Sequence, residues 1–133
     1  MNNLFVRRRL ESVTPGTLFR LVNSGRVSMR LSTFDGVQDI RTNTKGSLAQ
    51  WIDPLKRWTI FASWIIFVKS GQGHREHTLT LLHELFHIIL LDQGLDHLSH
   101  RQTFSDKILD HAAVQFMIRY PQSVSCLWRQ MKK

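Results

Sequence analysis

Residues Glu76 to Leu91 (EHTLTLLHELFHIILL) limit what this chain can become more than any other stretch. Leu79, Leu82, Phe86 and Ile89 recur at helical spacing, and Leu81, Leu85 and Ile88 fill further faces. A helix apolar on most of its sides is one surrounded by protein. Yet its centre carries His83, Glu84 and His87, three polar groups that cost several kcal/mol to bury unless they are paired or metal-bound. The fold must therefore wrap a core around this helix and also give those side chains partners.

His83 to His87 spells HExxH. A spacing of four puts both imidazoles on one helix face, where two nitrogens can hold one tetrahedral Zn²⁺. Glu84, one residue along, comes within reach of a water on that ion and can take its proton. Zinc lowers the pKa of a bound water from about 16 to about 7, which creates a nucleophile at neutral pH, and it polarises a carbonyl as well. The pattern thus predicts zinc as cofactor, His83 and His87 as ligands and Glu84 as general base.

A hydrolytic zinc site needs a third protein ligand and an open fourth position. After Asp92-Gln93-Gly94, where Gly94 suits a left-handed C-terminal cap, a loop rich in His and Asp leads to Thr103 to Asp106 (TFSD), which has capping-box spacing. A second helix is expected from about Asp106 to Tyr120, ended by Pro121. Asp110 on that helix is the first candidate for the third ligand, because a carboxylate on a packed helix can approach its neighbour. Asp106, one turn earlier, is the alternative, and His97, His100 and His111 are chemically able. For each of these histidines the plainer reading is a loop or surface imidazole. The longer HExxHxxGxxH pattern is absent, since Leu90 and Gln93 stand where it requires Gly and His, which disfavours a metzincin.

Upstream, Arg57 to Lys69 is β-branched and aromatic and ends at Ser70-Gly71-Gln72-Gly73, as expected of one long or two short buried strands. Gly16 to Val22 fits one or two helical turns, and Arg26 to Phe34 alternates Val27, Met29 and Leu31 like a strand. Turn signals divide the rest of residues 1–50. No repeat or long linker splits the 133 residues, which suits one domain with a basic N-terminal part (1–56) and a metal-site core (57–121).

Charge and histidine are distributed in opposite senses. Residues 1–66 hold ten Lys or Arg against four acids, residues 67–133 eight against six, and the formal net charge is +8. All seven histidines lie between His74 and His111. The basic excess speaks to association rather than fold. The single cysteine, Cys126, cannot form an internal disulfide, which agrees with a reducing compartment and removes any four-cysteine zinc site. The longest apolar stretch, Trp58 to Val68, is eleven residues, short of the roughly 20 needed to span a bilayer. The residues after Arg7 to Arg9 lack the apolar core of a secretory signal. A cytoplasmic protein with no membrane association is the expectation.

These motifs resemble the ImmA/IrrE family of metallopeptidases over roughly residues 60–121. The family's active-site helix reads approximately RFTLAHELGH, and Thr78 to His87 (TLTLLHELFH) agrees at Leu79, Thr80, Leu81, His83, Glu84, Leu85 and His87. A later family helix reads approximately EANxFAxxLxxP, which Asp110 to Pro121 (DHAAVQFMIRYP) follows at Asp110, Val114, Ile118 and Pro121. Two positions depart: Phe86 replaces the usual Gly, and Asp110 is one methylene shorter than the family's ligand Glu. The resemblance implies a cytoplasmic zinc-dependent peptidase whose substrate is a helix-turn-helix repressor of a phage or mobile element.

The expected architecture is a small α+β zincin-like domain, with a short sheet packed on the HExxH helix and a second, ligand-bearing helix. Its expected reaction is peptide-bond hydrolysis in a protein substrate. The rival is a non-catalytic binding protein on the same scaffold that docks a repressor, an acidic partner or nucleic acid through its basic N-terminal part. Arg7 to Arg9 would then touch phosphate, although no aromatic residue interleaves them and the run reads more simply as a solvated, frayed terminus. Trp51, Trp58, Trp64 and Trp128 read as core or amphipathic surface residues. Cys126 reads as a small buried hydrophobe. Tyr120 and His111 are able to stabilise an oxyanion, and the spacing selects neither.

Overall fold

Period-two alternation puts Trp64, Ile66 and Val68 on the buried side of a strand, β3 (Ser63–Lys69), with Ile65, Phe67 and Lys69 half-buried on the other. In this computed structural model the described residues are 3–32, 46–51, 63–94 and 103–132, with side chains at 4–31, 64–94 and 107–132. β3 is the middle strand of a three-stranded sheet with β1 (Val27–Ser32) and β2 (Gly46–Trp51), in the order β1-β3-β2. β1 runs parallel to β3, Val27 opposite Trp64 and Ser32 opposite Lys69. β2 runs antiparallel, Gly46 opposite Val68 and Trp51 opposite Ser63. The strand expected from Arg57 is thus observed from Ser63, and residues 57–62 lie outside the described residues.

Ser70 and Gly71 turn the chain out of β3, and Gly71 takes φ +83°, a left-handed conformation that glycine adopts without steric cost. The next element, α3 (His74–Asp92), is the HExxH helix. Leu81, Leu82, Leu85, Phe86, Ile88 and Leu90 are fully buried along it, and each such side chain contributes about 1.5–3 kcal/mol by leaving water. Its start is fixed on two sides: Nε2 of His77 is 3.1 Å from the Lys69 carbonyl, and the His77 ring stacks on Trp128 at 4.9 Å. Its end is fixed by Arg26, whose guanidinium grips Asp92 at 2.7 and 3.3 Å. Gly94 follows with φ +69°, the left-handed stop expected there.

Four helices enclose this centre. α4 (Thr103–Arg119) packs along α3 through Leu109, Ala113 and Phe116, with Phe116 set edge-on to Phe86 at 5.8 Å. It begins about one turn before the expected start. α2 (Pro15–Asn23) is capped by Thr14, whose hydroxyl accepts from the Thr17 N–H at 3.3 Å, and it buries Leu18, Leu21 and Val22 beside β1. Two further helices complete the enclosure. α1 (Asn3–Glu11) contains the arginine run, and Val6 and Leu10, four apart, bury one face of it while α1 packs on α4. The terminus is therefore solvated at Arg7, Arg8 and Arg9 yet folded rather than frayed. α5 (Pro121–Lys132) opens with Pro121 in the first turn, where a missing N–H costs nothing, so the residue that ends α4 also starts a helix. Val124, Leu127, Trp128 and Met131 bury its inner face, and Gln130 donates to the Asn23 side chain of α2.

Cys126 faces outward and is exposed, contrary to its expected burial, because it falls opposite the Val124–Leu127–Trp128 face. Trp64 and Trp128 are core residues as expected, while the side chains of Trp51 and Trp58 lie outside the described residues. The chain is a helix-dominant α+β domain. Among the described residues no helix is long and apolar enough to cross a membrane.

Candidate metal centre

α3 supplies His83, Glu84 and His87 from its middle turns, where the surrounding core holds the backbone firmly. Spacing of four turns both rings to one side. Their Nε2 atoms stand 3.2 Å apart, and the ring centroids are 4.8 Å apart at 66°. A tetrahedral zinc ion with bonds of about 2.0–2.1 Å would separate two ligand nitrogens by about 3.3–3.4 Å. The observed pair is within about 0.2 Å of that requirement.

Asp110 reaches across from α4, its Oδ1 2.7 Å from Nδ1 of His83. An ionised carboxylate only accepts, so this contact places the His83 proton on Nδ1 and leaves the Nε2 lone pair directed toward His87. Asp110 therefore sits on the nitrogen of His83 remote from His87, the place of a carboxylate that orients a ligand imidazole. The expected direct ligation by Asp110 is not the arrangement observed; a ligand would have to face the Nε2 pair.

Burial rises along this row. The Asp110 side chain is 71% exposed and that of His83 15%, whereas His87 is 5% and Glu84 6% exposed. The row thus runs from solvent at α4 into the core at α3. Glu84, adjacent to His83 in sequence, is buried.

The remaining sequence candidates separate. His111, next to Asp110 in sequence, points instead into a cleft between α4 and α1. Tyr120 packs on Phe116 at 4.9 Å. His77 is taken up by Lys69 and Trp128, and His74 is exposed at the start of α3. His97 and His100 lie outside the described residues, as does the side chain of Asp106. Among the described residues no group of three His, Cys, Asp or Glu side chains is arranged to hold a metal ion. What the described residues bring together is a pair of imidazole nitrogens on α3, with Asp110 on the other nitrogen of His83.

The role of Asp110 as a partner to His83 was not visible in the sequence, because it depends on the relative height of two helices. No known protein family, curated protein or solved structure matches the chain.

Proposed function

We propose that this protein is a zinc-dependent peptidase of the HExxH type, with a zincin-like arrangement of sheet and helices and a likeness to the ImmA/IrrE family. The reading is carried by one observation: the Nε2 atoms of His83 and His87 converge at 3.2 Å while Asp110 occupies the other nitrogen of His83. The residues fit the ion in donor type and spacing. Bound zinc would supply Lewis acidity toward a carbonyl and toward water.

In this reading His83 and His87 hold the ion through Nε2. Asp110 keeps the His83 ring in its binding orientation and raises its basicity through Nδ1. The third protein ligand is drawn from Asp110 in another rotamer, Asp106, His97 or His100. Glu84 accepts the proton of the attacking water and returns it to the departing amine, a shuttle that its burial favours by keeping bulk water from competing for the proton. The proposed substrate is a protein, in keeping with the family likeness a helix-turn-helix repressor, and the proposed compartment is the cytoplasm.

Glu84→Gln separates binding from chemistry. The variant should retain zinc at wild-type stoichiometry and lose cleavage of a repressor encoded beside the protein. Cleavage at the wild-type rate by that variant would remove Glu84 from the mechanism.

A further inference from the structure

α1 and α4 do not close on each other completely. Between them lies a cleft of about 170 Å³ whose floor is Leu10, Val13, Ile108 and Phe116, all buried. Its rim is charged and exposed: Arg7 and Glu11 stand on α1, His111 and Arg119 on α4. Among the described residues neither guanidinium makes an ion pair, and Glu11 on the same rim pairs with neither. Two of the few large exposed hydrophobic residues border the same faces, Leu4 one turn before Arg7 and Ile118 one turn after Gln115.

We propose that this cleft is a docking site for an acidic peptide segment of a partner protein, which seats one bulky apolar side chain on the floor and lays its carboxylates against Arg7 and Arg119. Size selects the class of occupant. Pockets that enclose whole small molecules measure about 300–1,000 Å³, whereas a single buried anchor side chain, the usual centre of a protein interface, needs far less. Charge selects the sign. Two arginines against one glutamate leave the rim positive, in a protein whose formal net charge is +8. The apolar borders at Leu4 and Ile118 extend the contact along both helices, as a peptide does and a compact anion does not.

This docking does not depend on the metal centre, since the cleft lies on the α1 side of α4 and shares no residue with His83, Glu84, His87 or Asp110. It accounts for α1 as more than a cover: the helix contributes Leu10 to the floor and Arg7 to the basic rim.

The test is fluorescence anisotropy of a short labelled peptide of glutamate and alanine carrying one central phenylalanine, titrated with the full chain at low salt. The expected result is saturable binding, weakened at least about tenfold by the double change Arg7→Glu with Arg119→Glu, and similarly by Ala112→Trp, which fills the cleft. Gln115→Trp at the exposed rim replaces Ala112→Trp if the latter fails to fold by circular dichroism. Exchange of the peptide's phenylalanine for serine should cost as much as filling the cleft. Absence of saturable binding overturns the proposal. So does binding that survives the charge reversal, equal binding of the serine peptide, or tighter binding of a DNA duplex or of decanoate at the same residues, which would assign the cleft to nucleic acid or to a free amphiphile.

Discussion

Oδ1 of Asp110 lies 2.7 Å from Nδ1 of His83, joining α4 to the HExxH turn of α3 across a sequence separation of 27 residues. The contact orders one imidazole, and through it the 3.2 Å meeting of two Nε2 atoms.

Asp110→Asn should weaken zinc binding by about 10–100-fold, the usual cost of losing the group that orients a ligand histidine. The fold should be spared, because the Asp110 side chain is largely exposed. Competition with a zinc chelator measures the first effect and urea denaturation of the metal-free protein the second. Unchanged zinc affinity would show that the carboxylate does not serve the site.

Arg26 and Asp92 form the most enclosed ion pair among the described residues, with side chains 11% and 19% exposed. The fork geometry ties the end of α3 to the start of β1, and Arg26 is also the residue whose carbonyl receives the Trp64 N–H at 2.6 Å. Removing the guanidinium leaves the mostly buried Asp92 carboxylate without its fork, so Arg26→Ala should destabilise by about 3 kcal/mol, and Asp92→Asn should destabilise as well. The double variant should cost less than the sum of the two. Urea midpoints for the four proteins of that cycle provide the measurement.

Cys126, exposed on the outer face of α5, should react with a thiol reagent in the native protein without denaturant. Cys126→Ser should change stability by no more than about 0.5 kcal/mol. Protection of the thiol until unfolding would mean that α5 presents a different face.

α3 was legible in the sequence because its apolar residues cover most faces over sixteen positions, a signal that no strand or surface helix produces. α1 was not, since only Val6 and Leu10 mark its buried face and three arginines mask them; its helicity comes from packing on α4. α5 was hidden by Pro121, which local rules assign equally to the end of one helix and the first turn of the next. The spacing of Val124, Leu127, Trp128 and Met131 carried the missing information. His83, Glu84 and His87 were readable from spacing alone, because one helix sets their geometry. The part played by Asp110 was not, because it depends on how α4 slides along α3, which the Phe86–Phe116 contact and its neighbours decide.

In the proposed site the paired Nε2 atoms of His83 and His87 supply two of the zinc ligands. X-ray absorption at the zinc edge of the loaded, dialysed protein reads those ligands. The expected result is about one zinc per chain with nitrogen or oxygen neighbours at about 2.0–2.1 Å and the scattering of at least two imidazoles, reduced by one imidazole in His83→Ala. Wild-type protein that retains no zinc, or a zinc environment unchanged in His83→Ala, would contradict it.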